Sequence, residues 1–252
     1  MIYSQVQQLK LALTGSTEEL KALLINSAEE VLRAALKNIN LNEDHLLTLL
    51  QRHDLPGALF KPLCAHPLSR RQRVALRLID HPALPPLHLK NLLDNLLLFD
   101  LLKVCQQPGQ ATDIRIAAEQ AIIRRLPTAP LGSKVSIARR ASATVLTALI
   151  IDGHPQIIEA CLDNPRLKEA ALFKFLSGST ATAETISQIA RHHRWNQRRN
   201  IRRAILSHRL TPQVWFLQFL PSMPPHEARQ LLHSQRLTGQ QKSWIRDHFS
   251  RH

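Results

Sequence analysis

Two stretches of this chain are versions of each other, and that self-similarity limits the possible folds more than any other feature. VLRAALKNINLNEDHLLTLL at 31–50 aligns without a gap on IIEACLDNPRLKEAALFKFL at 157–176. Ala34, Leu36, Asn38, Leu41, Glu43, Leu46 and Leu50 recur as Ala160, Leu162, Asn164, Leu167, Glu169, Leu172 and Leu176. The register continues with a one-residue adjustment inside the next pair, LCAHPLSRRQRVALRLIDHPALPP at 63–86 and IARHHRWNQRRNIRRAILSHRLTP at 189–212. Inside each copy a smaller unit appears: an apolar helix end, a polar break, then a new helix, as in ALKNINLNEDHLLTLL, CLDNPRLKEAALFKFL and ILSHRLTPQVWFLQFL. Helix pairs of this size cannot bury an apolar face alone, so they stack on neighbours and share a core. The sequence therefore predicts an all-α repeat domain over residues 1–252, with internal copies at about 31–107 and 157–234.

Local preferences agree. Leucine dominates the apolar set, and only seven glycines and one tyrosine occur, which favours helix over strand. Helices are expected at about 2–13, 17–37 with a break near Ser27, 42–52, 56–65, 70–80, 86–106 with an interruption, 112–126, 131–140, 142–152, 155–163, 168–177, 182–192, 196–207, 212–219, 225–234 and 239–250. Ser16 with Glu19 fits a capping box, and Asn42, Thr112, Thr211 and Thr238 stand where a side-chain oxygen can satisfy first-turn amides. No basic leader or apolar run of membrane-spanning length is present, so a soluble cytoplasmic protein with no membrane contact is expected. Cys64, Cys105 and Cys161 are odd in number, far apart and flanked by apolar residues, which predicts reduced core thiols.

The breaks His81-Pro82-Ala83-Leu84-Pro85-Pro86, Asn164-Pro165-Arg166-Leu167 and His208-Arg209-Leu210-Thr211-Pro212 carry a resemblance. Over roughly residues 30–245 the units resemble HEAT-like repeats and the leucine-rich-repeat-variant kind of α-solenoid. That resemblance implies a curved α-solenoid scaffold that binds protein or nucleic acid rather than one that performs a reaction. Some HEAT-like solenoids are alkylpurine DNA glycosylases. By that likeness Trp195 or Trp215 can supply an aromatic platform, and Asp113, Asp152 or Asp163 a carboxylate, although no motif joins them.

Charge points to the partner. The net charge of +14 is uneven: residues 1–126 carry 15 Lys/Arg against 12 Asp/Glu, and residues 127–252 carry 18 against 7. A field of that sign concentrates polyanions and acidic protein surfaces. The sharpest local feature runs from Arg191 to Arg209, with seven arginines in nineteen positions and no acid. If 196–207 is helical, Arg198 with Arg202 and Arg199 with Arg203 stand one turn apart and repel unless an anion lies across them. Guanidinium groups pair with phosphate or carboxylate, and an aromatic ring can stack on a base. The candidate anion-binding surface is therefore Arg191, Arg194, Trp195, Arg198, Arg199, Arg202 and Arg203, with Arg70, Arg71 and Arg73 contributing from the first copy. Nucleic acid and acidic protein are both admitted as partners. The four helical arginines are expected to face solvent, so that their replacement by Gln weakens binding and leaves folding intact.

Two blander readings stand beside this one. Outer faces of stacked helices are commonly charged, and Trp195 can simply anchor a loop in the core. A scaffold that binds protein through an apolar strip predicts exposure around Trp215, Phe216 and Phe219. Catalysis has little foothold: His226-Glu227-Ala228-Arg229-Gln230 lacks the second histidine of a zinc-binding helix, and no phosphate loop, dinucleotide turn or nucleophile elbow occurs. No catalytic residue, metal site or cofactor is expected.

Overall fold

The structure is a computed structural model that describes residues 4–250. Its regular elements there are all helical, and packing divides the chain into two compact units, Met1–Arg125 and Leu126–His252, where the sequence predicts one repeat domain. The division falls at Leu126-Pro127, where proline cannot continue the preceding α-helix.

Unit 1 holds α1 (Gln5–Thr14), α2 (Thr17–Asn26), α3 (Glu29–Ala35), α4 (Glu43–Leu49), α5 (Gly57–Ala65), α6 (Gln72–Ile79), α7 (Pro86–Asn95), α8 (Leu98–Gln106) and α9 (Thr112–Arg125). Unit 2 holds α10 (Leu131–Ala138), α11 (Ala143–Ile150), α12 (Pro155–Leu162), α13 (Glu169–Ser177), α14 (Ala183–Arg191), α15 (Arg199–Leu206), α16 (Gln213–Phe219), α17 (Pro225–His233) and α18 (Gly239–Ser250). These positions follow the expected helices closely, and the breaks foreseen near Ser27 and within 86–106 are both present. The start of the first helix at residue 2 lies outside the described residues. Among the described residues that helix begins at Gln5, after a capping box between Ser4 and Gln7.

Each helix of unit 2 starts 126 or 127 positions after its counterpart in unit 1, within a residue. The register thus reaches from α1 and α10 to α9 and α18, beyond the copies at 31–107 and 157–234. Within unit 1 alternate helices pack on one another: α1, α3, α5, α7 and α9 form one row, and α2, α4 and α6 another. Unit 2 shows α10 on α12 on α14, and α11 on α13 on α15. Such packing is what a helical repeat requires, because each short helix completes its neighbour's core. Leu46, Leu49 and Phe60 in unit 1, and Leu172, Phe175 and Phe216 in unit 2, are fully or almost fully buried.

Helices of seven to ten residues leave many terminal carbonyls unpaired, and the breaks repair this. Asn38 Nδ2 donates to the Ala12 and Gly15 carbonyls (3.0 and 3.2 Å), and its Oδ1 accepts from the Asn40 amide at 2.8 Å. Asn164 repeats the pattern, donating to Ala138 and Ala141 (2.7 and 3.3 Å) and accepting from the Arg166 amide at 2.9 Å. His81 accepts from the Ala83 amide at Nδ1, so Nε2 carries the proton and donates to the Arg52 carbonyl at 2.7 Å. Arg52 in turn donates to the Leu24 and Ser27 carbonyls, and Arg125 to those of Leu93, Asp94 and Leu96.

The expected caps are mostly present. Ser16 N–H donates to Glu19 at 2.8 Å, Asn42 accepts from the His45 amide, and Thr238 pairs with Gln241. Thr211 differs: its buried hydroxyl donates back to the Ile205 carbonyl, which also accepts from the His208 amide at 3.0 Å. Burial pushes the thiols of Cys64, Cys105 and Cys161 up to about 11, 12 and 12, so all three are protonated at neutral pH, and none is in a disulfide. No helix among the described residues is long and apolar enough to cross a membrane.

The break chemistry gives a stability test. Replacing Asn164 by Ala strands two carbonyls and one amide in the core, at a cost of about 2–3 kcal/mol. All three tryptophans, Trp195, Trp215 and Trp244, lie in unit 2, so their fluorescence in a urea titration reads the loss directly. Asn164→Asp keeps the acceptor for Arg166 but sets a carboxylate against two carbonyls, and its midpoint should fall at least as far.

Candidate anion-binding site

The arginine run is not a uniform solvent-facing array. Arg194 lies over the Trp195 ring, 4.5 Å from its centroid, and donates to the carbonyls of Asn164, Pro165 and Leu167 at 3.1–3.3 Å. Trp195 is only 2% exposed, and its Nε1 donates to the Leu162 carbonyl. These two residues therefore close the C-terminal end of α12, and Trp195 has no free face for a base. Sequence alone left that anchoring role beside the stacking role, and the geometry selects it.

The pairs on α15 also depart from expectation. Arg199 is bonded to Glu227, which is 7% exposed and stands in the first turn of α17. The equivalent pair in unit 1 is Gln72 with Asp100, so the tie between these helix starts persists while its donor changes from a neutral amide to a guanidinium. Arg202 bonds the Asn196 carbonyl and Ser222 Oγ and lies over Phe219, 5.3 Å from its centroid. Arg203 remains exposed and reaches Gln230 Oε1 at 2.8 Å. An anion is thus not needed to hold α15 together, and replacing all four arginines by Gln would remove structural bonds as well as charge.

Three others stay open. Arg198, Arg70 and Arg71 are exposed, with no side-chain bond among the described residues. Arg191 is exposed beside the buried Trp215, 5.9 Å from its ring centroid. Arg73 bridges Glu43 and Asp44 at 3.7 and 3.6 Å. Arg70, Arg71 and Arg73 belong to unit 1, and the other candidates to unit 2.

The concave feature of unit 2 lies beside this run and involves residues the sequence did not single out. An open cleft of about 730 Å³ runs between α13 and α15 to the end of α17. Its rim carries Lys174, Arg203 and Arg236 against one carboxylate, Glu169, and its wall includes Phe173, which is 53% exposed. A second hollow of about 780 Å³ adjoins it at Leu176, Ser177, Ser207 and Arg236 and adds Arg209. His208 also lines it, held below its ordinary pKa chiefly by burial. Lys174, Arg209 and Arg236 have no side-chain bond or ion pair among the described residues, and neither has the Asn200 amide in the cleft. The signal for these residues was present in the duplication: Lys174 replaces Thr48, and Arg203 replaces Leu76.

The apolar strip expected around Trp215, Phe216 and Phe219 is not exposed. All three are buried, Trp215 with its Nε1 on Ser187 Oγ at 2.9 Å, because the seven-residue α16 turns its aromatic face into the core. The platforms suggested for glycosylase chemistry, Trp195 and Trp215, are therefore both covered. Asp152 is paired with Lys134 at 2.7 Å, and Asp163 lies 3.3 Å from His192. Comparison with protein families, curated proteins and solved structures finds no match to this chain.

The Arg199–Glu227 pair predicts an asymmetry. Arg199→Ala leaves a buried carboxylate without its cation and should cost about 1–3 kcal/mol in tryptophan-monitored urea unfolding. Glu227→Gln leaves the largely exposed guanidinium to water and should cost less. Equal costs would mean that the pair is solvated like an ordinary surface contact.

Proposed function

We propose that this chain is a non-enzymatic helical-repeat binding module of the HEAT-like kind, cytoplasmic in setting, whose second unit docks an anionic partner, nucleic acid or acidic protein. The observation that carries the reading is the cleft of unit 2, where Lys174, Arg203 and Arg236 face one carboxylate and two of the three cations are free of internal bonds. The charge of residues 127–252, with 18 Lys/Arg against 7 Asp/Glu, supports it by steering anions toward this half. Arg209 extends the basic surface into the adjoining hollow, and Arg191 and Arg198 are further exposed cations of the same unit. A scaffold using an apolar strip is the second reading. Its support is the exposure of Val214 and Leu217 on α16, two side chains that make a small patch.

Binding of the full chain to labelled single- and double-stranded DNA and RNA, and to polyglutamate, across a salt series tests the proposal. Affinity should fall steeply on a log-log plot, by about 0.7–0.9 in slope for each phosphate neutralised where the ligand is nucleic acid. Lys174→Glu with Arg209→Glu and Arg236→Glu should weaken binding and flatten that slope without shifting the unfolding midpoint, since none of the three is bonded within the fold. Absence of binding to every polyanion at low salt would reject the reading.

A further inference from the structure

We infer that the cleft between α13 and α15 receives an acidic peptide segment of a protein partner, with an apolar side chain against Phe173 and carboxylates directed to Lys174, Arg203 and Arg236. The inference rests on the anion-docking reading of unit 2 and narrows it to one class of ligand.

Unit 1 provides an internal control. On its matching face Arg73 spans from α6 to Glu43 and Asp44 on α4, and Asp80 accepts from Gln107 and Gln110 at 3.2 and 3.4 Å. At the equivalent positions unit 2 has Asn200 for Arg73, Ala170 for Asp44, Ala204 for Arg77, Ser207 for Asp80 and Ser234 for Gln107. Every one of these changes shortens the side chain, and those at Arg73, Asp44, Asp80 and Gln107 remove a contact that crosses between helices in unit 1. At the same time Thr48, Leu76 and Gly109 give way to Lys174, Arg203 and Arg236. The helices of both units still bury equivalent cores, as Leu46 and Leu172 or Leu78 and Ile205 show. On the surface that forms the cleft, the bridge is thus lost and three cations are gained.

The lining favours peptide over a nucleic-acid strand. Ala170, Leu176 and Ala204 are aliphatic, and Phe173 is the one aromatic group in the wall. A bound strand needs successive stacking platforms, and Trp195 and Trp215 are buried. Glu169 at the mouth repels a continuous run of phosphates, whereas a peptide can place its carboxylates away from it. The unbonded Asn200 amide offers one donor group and one acceptor, the complement of a peptide unit. A volume of about 730 Å³ holds a few residues of extended chain. The cleft is also polar along its length: Glu169 and Asn200 stand at the N-terminal ends of α13 and α15, and Arg236 lies past the C-terminal end of α17.

The test uses the full chain and fluorescein-labelled peptides of about ten residues, blocked at both ends, built from Asp and Glu with a central Leu or Phe. Controls are an all-Glu peptide and oligo(dT) and oligo(U) of matching charge. The Leu or Phe peptides should bind roughly tenfold more tightly than any of the three controls. Phe173→Ser, which removes an exposed ring, should erase that preference. Ala170→Asp with Asn200→Arg rebuilds the bridge of unit 1 and should lower peptide affinity roughly tenfold while the urea midpoint holds. Oligonucleotides that bind more tightly and displace the peptide would overturn the inference. Salt-steep binding of all anions, indifferent to both variants, would also overturn it while leaving anion docking by unit 2 in place. Failure of every anion to bind at low salt would remove both.

Discussion

A helix of seven to ten residues has almost as many unpaired terminal groups as paired ones, and everything in this protein must accommodate that fact. Longer helices would dilute the problem; repeats built from short ones meet it at every turn. Here several breaks carry a donor that reaches back to a helix end 23–33 residues earlier, at Asn38 and Asn164, His81, Arg52, Arg194 and Trp195, and Gln241 does the same from the first turn of α18. His66, His154, His192 and His208 hold their turns by accepting from the amide two positions on, and at Asn38, His81 and Asn164 the residue that makes the long-range bond does so as well. Local turn and long-range stacking are thereby fixed by one side chain. Loss of either partner exposes a buried polar group, which makes the stacking order specific as well as stable.

The duplication separates what the fold requires from what it permits. The asparagine bonds at Asn38 and Asn164 match atom for atom, and an acid recurs in the first turn of α8 and α17 as Asp100 and Glu227. Those positions answer to the core. The surface between α4 and α6 answers to nothing internal beyond its own ion pairs, so its counterpart between α13 and α15 could exchange bridging side chains for short ones without unfolding the unit. On the proposed reading, this exchange of bridging side chains for short ones, beside asparagine bonds that persist, is where the two units take on different tasks.

Much of the fold was legible in the sequence because its determinants are local. Break residues such as Asn164-Pro165 and His208-Arg209-Leu210-Thr211-Pro212 reveal helix ends directly, and the gapless pairing of 31–50 with 157–176 reveals the repeat. The candidate site was less legible because the fate of an arginine depends on residues far along the chain. Arg199 and Arg203 find Glu227 and Gln230 nearly thirty positions later, and Arg194 reaches carbonyls equally far back. Spacing along α15 shows that these side chains share a helix surface; it does not show which of them another helix will occupy. Trp195 and Trp215 follow the same logic, since an indole that can serve as a platform serves equally well as a plug.

Net charge and located charge then play different parts. Arg166 and Arg194 are spent on carbonyls, Arg199 and Lys134 on carboxylates, and Arg202 on Asn196 and Ser222. Arg199 and Lys134 are offset by their carboxylates, whereas those bonded to neutral carbonyls still contribute to a long-range field that favours an anion near unit 2, because such a bond leaves the charge in place. They contribute little to its selection. Selection needs donors that are unsatisfied until the ligand arrives and held beside a surface that excludes water, and Lys174, Arg236 and the Asn200 amide meet the first condition beside the ring of Phe173. The arginine-rich segment is therefore mainly the framework of the basic unit, and under the proposed function the surface that would discriminate between anions is the cleft next to it.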